Sequence, residues 1–155
     1  MRLAAEMTVR RPSDVVWAFL AGDPANLTKW DRGVRAVRVT SETASGVGMT
    51  FDTLGSPRGR KGGEESGRMS YRVAEFVPRH HMTVALASAE GNARYFRRAT
   101  WRMQVEPAGG EATRVVCVAE FALRRRYFFL GPVLYALRSA IRRDLGYLKV
   151  AVEAG

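Results

Sequence analysis

A chain of 155 residues, 46% hydrophobic and 26% charged, has the size and balance of one globular domain and is not a collagen-like, repeat or low-complexity protein. The net charge is +10, but 22 of the 25 basic residues are arginines scattered along the chain, a skew expected from GC-rich coding, so no nucleic-acid partner is expected. The single cysteine, Cys117, excludes an intrachain disulfide and a cysteine-based zinc site, and the longest apolar run, 127–137, is too short to span a membrane.

The first twelve residues carry no apolar signal-peptide core, so a soluble protein in a reducing, cytoplasmic compartment is expected. Residues 2–10 alternate, with Leu3, Ala5, Met7 and Val9 on one face, and predict a half-buried strand. Pro12 stops it. Ser13 is placed to cap a helix bearing Val16, Phe19 and Leu20, and Gly22 to end it in a left-handed conformation. Asp23-Pro24 restarts a short helix whose inner face carries Leu27 and Trp30. Trp17, one step off the Val16–Leu20 line, is expected to pack at the helix edge or lean on a neighbouring strand.

Strands follow. Residues 34–40 place Val37 and Val39 together; 48–54 place Met49, Phe51 and Thr53 together. The glycine-rich, charged stretch 55–67 is expected to be a mobile hairpin tip or flap. Strand 68–76 aligns Met69, Tyr71, Val73 and Glu75. Pro78 breaks it, and 81–87 continues the sheet. Gly91-Asn92 predicts a turn into a long strand, 93–107, with Tyr95, Arg97, Ala99, Trp101, Met103 and Val105 on one face. Strand 113–124 aligns Val115, Cys117, Ala119, Phe121 and Leu123. At the C-terminus the period changes to that of a helix. Leu130, Leu134, Leu137, Ile141, Leu145, Leu148 and Val152 form one stripe of about six turns, with Pro132 near its start.

The segments 12–24 (PSDVVWAFLAGDP), 47–51 (VGMTF), 71–78 (YRVAEFVP), 113–123 (TRVVCVAEFAL) and 144–149 (DLGYLK), with Trp30, make the chain resemble the START-like, or Bet v 1-like (SRPBCC), superfamily. The likeness is to its bacterial polyketide cyclase/dehydrase and lipid-transport type. It covers nearly the whole chain. The resemblance implies a single START-like domain over 1–155 with an α+β helix-grip fold. In that fold a curved antiparallel sheet of about seven strands, with two short helices after the first, grips one long C-terminal helix, and the two short helices form a V that supports one end of it. It also implies a cavity between sheet and helix, and no cofactor. Members bind lipids, sterols or polyketides, or cyclise them, so chemistry must be argued from the site.

The inward sets supply candidate ligand-binding residues: Met49, Phe51, Tyr71, Tyr95, Trp101 and Met103 from the sheet, and Leu134, Leu137 and Ile141 from the helix. Arg97 and Glu75 fall in phase with these apolar sets and are the candidate catalytic pair. Facing inward, they would pair with each other or bind a ligand's carboxylate, enol or carbonyl; for a cyclisation Arg97 would stabilise an enolate and Glu75 or a tyrosine move a proton, unless each sits at a bulge or strand end and reaches water. His80 and His81 point to opposite faces of a strand with no cluster to complete a metal set, and Cys117 reads as a buried small apolar residue. Arg124-Arg125-Arg126 before Tyr127-Phe128-Phe129-Leu130 reads as a polar strand end followed by packing at the helix entrance, with docking on an anionic membrane as the alternative. The leading functional expectation is a binder of a hydrophobic small molecule, lipid or polyketide-like. The alternatives are a polyketide aromatase/cyclase and a peripheral binder of anionic membrane or nucleic acid. The chain is expected to be a monomer or homodimer.

Overall fold

The computed structural model describes residues 1–43, 45–55, 67–89 and 91–155. The expected flap at 55–67 lies mostly outside them. Alternating sequence becomes alternating burial. β1 (Arg2–Val9) buries Leu3, Ala5 and Val9, and β7 (Thr113–Leu123) buries Val115, Cys117, Ala119 and Phe121. With β2 (Val34–Val39), β3 (Thr50–Gly55), β4 (Met69–Val77), β5 (His81–Leu86) and β6 (Phe96–Pro107) they form one curved antiparallel sheet in the order β1-β7-β6-β5-β4-β3-β2. The chain runs out along β1, crosses to the far edge, and returns strand by strand until β7 pairs with β1.

Of three register shifts among the described residues, one lies between Val34 and Ala36 on β2, and the other two reset the alternation at candidate site residues. Between Val73 and Glu75 the β4–β5 register shifts by one, so Phe76 turns inward and Glu75 outward. Between Phe96 and Arg98 the β6–β7 register shifts likewise and leaves Arg97 as the extra, exposed residue. The long strand starts at Phe96 rather than Ala93, because Gly91–Tyr95 coils into a 3-10 turn.

The crossing from β1 to β2 is made by α1 (Ser13–Ala21) and a 3-10 helix, Pro24–Lys29. Ser13 does not cap α1; Pro12 occupies that position and no side chain bonds there. Gly22 is not left-handed. It has φ −76°, and glycine is needed because a Cβ would lie 2.3 Å from the Ala18 carbonyl oxygen. Asp23 does cap the next piece, accepting from the Ala25 N–H at 2.9 Å, with Pro24 in its first turn.

The C-terminal stripe is also broken. A 3-10 turn at Arg125–Leu130 leads into α2 (Gly131–Tyr135), and α3 (Leu137–Ala154) follows Ala136, whose N–H donates to the Val133 carbonyl at 3.1 Å. The inward stripe survives: Leu134, Leu145, Leu148 and Val152 are buried. α3 packs with α1, β1, β6 and β7 in a cluster that includes Val9, Val16, Val105, Val115, Leu145, Leu148 and Val152. A second cluster joins Leu134 to Leu3, Ala99, Ala119 and Phe121, and a third lies on β3 and β4 around Met49, Phe51 and Val73. No helix among the described residues is long and apolar enough to cross a membrane.

Candidate functional site

Sheet curvature holds β3–β5 away from α3, and the space between is a cavity of about 230 Å³. Its sheet wall is Met49, Phe51, Thr53, Tyr71, Met82, Val84, Trp101, Met103 and Cys117. α3 contributes Ile141, Asp144 and Leu145. The crossing helices close one end with Leu20, Leu27 and Trp30, followed by Asp31 and Val34. The V after β1 is therefore part of the cavity wall as well as a support for α3. Trp17, by contrast, packs edge-on against Phe76 with ring centroids 5.5 Å apart.

The wall is aromatic by contact as well as by composition. Phe51 stacks on Tyr71 at 5.5 Å, Tyr71 meets Trp101 edge-to-face at 5.4 Å, and Trp101 meets Phe121 at 5.6 Å. Each ring is fixed by the next, so the surface offered to a ligand is preformed.

Two carboxyl groups interrupt this apolar wall. Asp31 follows the 3-10 helix and accepts the Gly33 N–H at 2.9 Å. Burial raises its pKa, against the lowering effect of that hydrogen bond. Asp144 projects from α3. Its Oδ1 is buried with no hydrogen-bond partner among the described residues. Burial first and the charge of Asp31 second push its carboxyl up to about 6, against the opposing pull of Arg143 and Arg32. Tyr71, whose hydroxyl donates to the Met69 sulfur at 3.6 Å, is raised to about 12 by burial and by Asp31, with Thr53 opposing. Burial first and Asp144 second push the Cys117 thiol up to about 12, which disfavours the thiolate at neutral pH.

Of the residues expected to line a cavity, Met49, Phe51, Tyr71, Trp101, Met103 and Ile141 do so. Tyr95, Leu134 and Leu137 do not. Tyr95 ends the 3-10 turn before β6, its ring 4.9 Å from that of Tyr127. Leu134 is buried in the second cluster and Leu137 packs against it, ahead of the part of α3 that faces the cavity. Neither member of the expected catalytic pair reaches the site. Arg97 is exposed at its bulge, and Glu75 is exposed with His81 Nε2 3.4 Å from its carboxylate. Asp31 and Asp144 are the charged residues that do line it. The available signal was Asp144 itself, one residue before Leu145 and three after Ile141, an acid set inside the apolar stripe.

A seven-stranded sheet gripping a C-terminal helix over a preformed apolar cavity defines a helix-grip, small-molecule-cavity class of protein. The chain belongs to the polyketide cyclase/dehydrase and lipid transport family, whose model matches residues 1–153. No curated protein matches it significantly. Among solved structures it is similar to the Zhui aromatase/cyclase from Streptomyces sp. R1128, with a TM-score of 0.79 and 14% identity over 99% of this chain and 93% of that one. It is similar to a START superfamily protein from Mycobacterium smegmatis, with a TM-score of 0.75 and 13% identity over 99% and 97%. The di-domain ARO/CYC BexL of the BE-7585A biosynthetic pathway matches with a TM-score of 0.77 and 15% identity; the chain spans 46% of its length. At these identities the likeness establishes the fold.

Proposed function

We propose that this protein binds a compact, largely planar hydrophobic molecule between the sheet and α3. The observation that carries this reading is the aromatic cavity of about 230 Å³, whose few polar lining residues include Asp31, Thr53, Tyr71 and Asp144. Its size narrows the class. An apolar cavity of roughly 150 Å³ holds one benzene ring, so this one suits one ring or two fused rings with short substituents, and the ligand's polar group would meet Asp31, Asp144 and the Tyr71 hydroxyl. A diacyl lipid would not fit inside without widening the cavity. Titration of Trp101 and Trp30 fluorescence with a panel of one- and two-ring aromatic compounds tests the reading. Saturable quenching that a bulky Met103→Trp substitution abolishes is expected; a panel without saturable binding at millimolar concentration would refute it.

A second reading, a cyclase or dehydratase, is favoured by Asp144. A carboxyl raised to about 6 in the same apolar cavity as a tyrosine hydroxyl is matched to proton transfer near neutral pH. In that role Asp144 in its ionised form takes a proton from an activated carbon of a bound polyketone, and the acid form returns one to the departing hydroxyl during dehydration. Tyr71 donates a hydrogen bond to the enolate oxygen. Turnover of a short aromatic β-polyketone that survives unchanged in Asp144→Asn would exclude this role and leave binding intact.

A further inference from the structure

The stretch 124–143 contains six arginines and no acidic residue. It also holds a dense group of exposed large apolar side chains: Phe128 is 78% exposed, Phe129 61%, Val133 62% and Tyr135 65%. The sequence suggested that 127–130 would pack at the helix entrance. Instead the 3-10 turn at Arg125–Leu130 and the short α2 leave both phenylalanines exposed, while Tyr127 packs against Tyr95 and Leu134 is buried in the second cluster. Phe128 and Phe129 contact each other edge-on at 6.2 Å, and the Arg126 guanidinium lies over Tyr127 at 5.1 Å. Along the chain, exposed Arg124, Arg125 and Arg126 precede the apolar tip and exposed Arg138 follows it. None of these apolar residues contributes to the cavity.

We propose that this tip, Phe128, Phe129 and Val133 within its arginine frame, docks the protein on an anionic lipid bilayer. Charge complementarity selects that occupant. Apolar side chains on a short helical tip, framed by cations, match the interface of a negatively charged membrane, where the aromatics sit at the acyl boundary and each arginine meets lipid phosphate. A second copy fits poorly, because a twofold contact would press two arginine frames together. Single-stranded nucleic acid could stack on the phenylalanines but would leave Val133 and the α2 surface unused.

The test is cosedimentation of the intact protein with vesicles of 30% phosphatidylglycerol in phosphatidylcholine, against phosphatidylcholine alone. Binding at 50 mM salt at least tenfold tighter to the anionic vesicles is expected, weakening as salt rises. Phe128→Ser/Phe129→Ser should reduce it at least tenfold with unchanged thermal unfolding, since both side chains are exposed. Arg124→Gln/Arg125→Gln/Arg126→Gln should remove most of the preference for anionic lipid. Absence of anionic-vesicle binding at 50 mM salt overturns the proposal. So does binding that the phenylalanine variant leaves unchanged, or a phenylalanine-dependent dimer or single-stranded DNA complex without vesicle binding.

Discussion

Replacing Asp144 by asparagine should make this protein more stable at neutral pH. Its carboxyl titrates at 3.8 when unperturbed and at about 6 in the fold, because burial and the neighbouring Asp31 charge both oppose ionisation. The folded state thus holds the proton more tightly than the unfolded state. Stability from this group is fully present below about pH 4, falls as pH rises to about 6, and is flat above. The shift of about two units corresponds to a little under ~3 kcal/mol at 1.36 kcal/mol per unit. The carboxyl is partly open to solvent, and screening reduces the expected cost to about 1–1.5 kcal/mol. The neutral amide of Asp144→Asn would remove that cost at pH 7.5, raising Tm by about 2–5 °C for a domain of this size, and would give no gain at pH 4. Urea unfolding of both proteins at pH 4, 5 and 7.5 measures it. A gain independent of pH, or a loss at pH 7.5, would refute the electrostatic reasoning. Because Asp31 and Asp144 repel each other, the double variant Asp31→Asn/Asp144→Asn should gain less than the sum of the single gains.

Gly22→Ala should destabilise by about 2 kcal/mol or more, read by chemical unfolding, because the new Cβ would sit 2.3 Å from the Ala18 carbonyl oxygen and no flexible side chain can yield. Arg97→Ala and Glu75→Ala, both exposed at bulges, should change stability by less than about 0.5 kcal/mol and leave aromatic-ligand affinity within a factor of two. Cys117, 6% exposed and with its thiol held at about 12, should resist a disulfide reagent at pH 8 and react fully only on unfolding; burst labelling of the folded protein would contradict its placement.

Periodicity carried most of the fold. Leu3, Ala5 and Val9 on β1 and the stripe from Leu134 to Val152 are buried as their spacing requires, because a half-buried strand and an amphipathic helix leave a period in the sequence. A β-bulge leaves none. One extra residue at Ala74 or Arg97 reverses the facing of its neighbours without altering local composition, and so Arg97 and Glu75, in phase on paper, stand outside the cavity. Cavity lining was legible where it came from the middle of regular strands, as at Phe51, Tyr71 and Trp101. It was not legible where two remote segments meet. Asp144 stands inside the apolar stripe, but nothing local pairs it with Asp31 in its Trp-Asp-Arg run, and only the closure of α3 over the 3-10 helix brings the two into one site.

The pairing of the first strand with the last sets an order of events in folding. The Met1 amino group donates to the Phe121 carbonyl 120 positions away, at 2.9 Å, and the Arg10 N–H reaches Glu153. On a growing chain, β2 to β6 can zip as successive neighbours while β1 has nothing to pair with. Its charged alternates, Arg2 and Glu6, are residues of the kind that discourage such an idle strand from joining another chain. Such long-range closure belongs to slow, millisecond-to-second folding, and pulse-labelled hydrogen exchange should find the amides of β1 among the last to be protected.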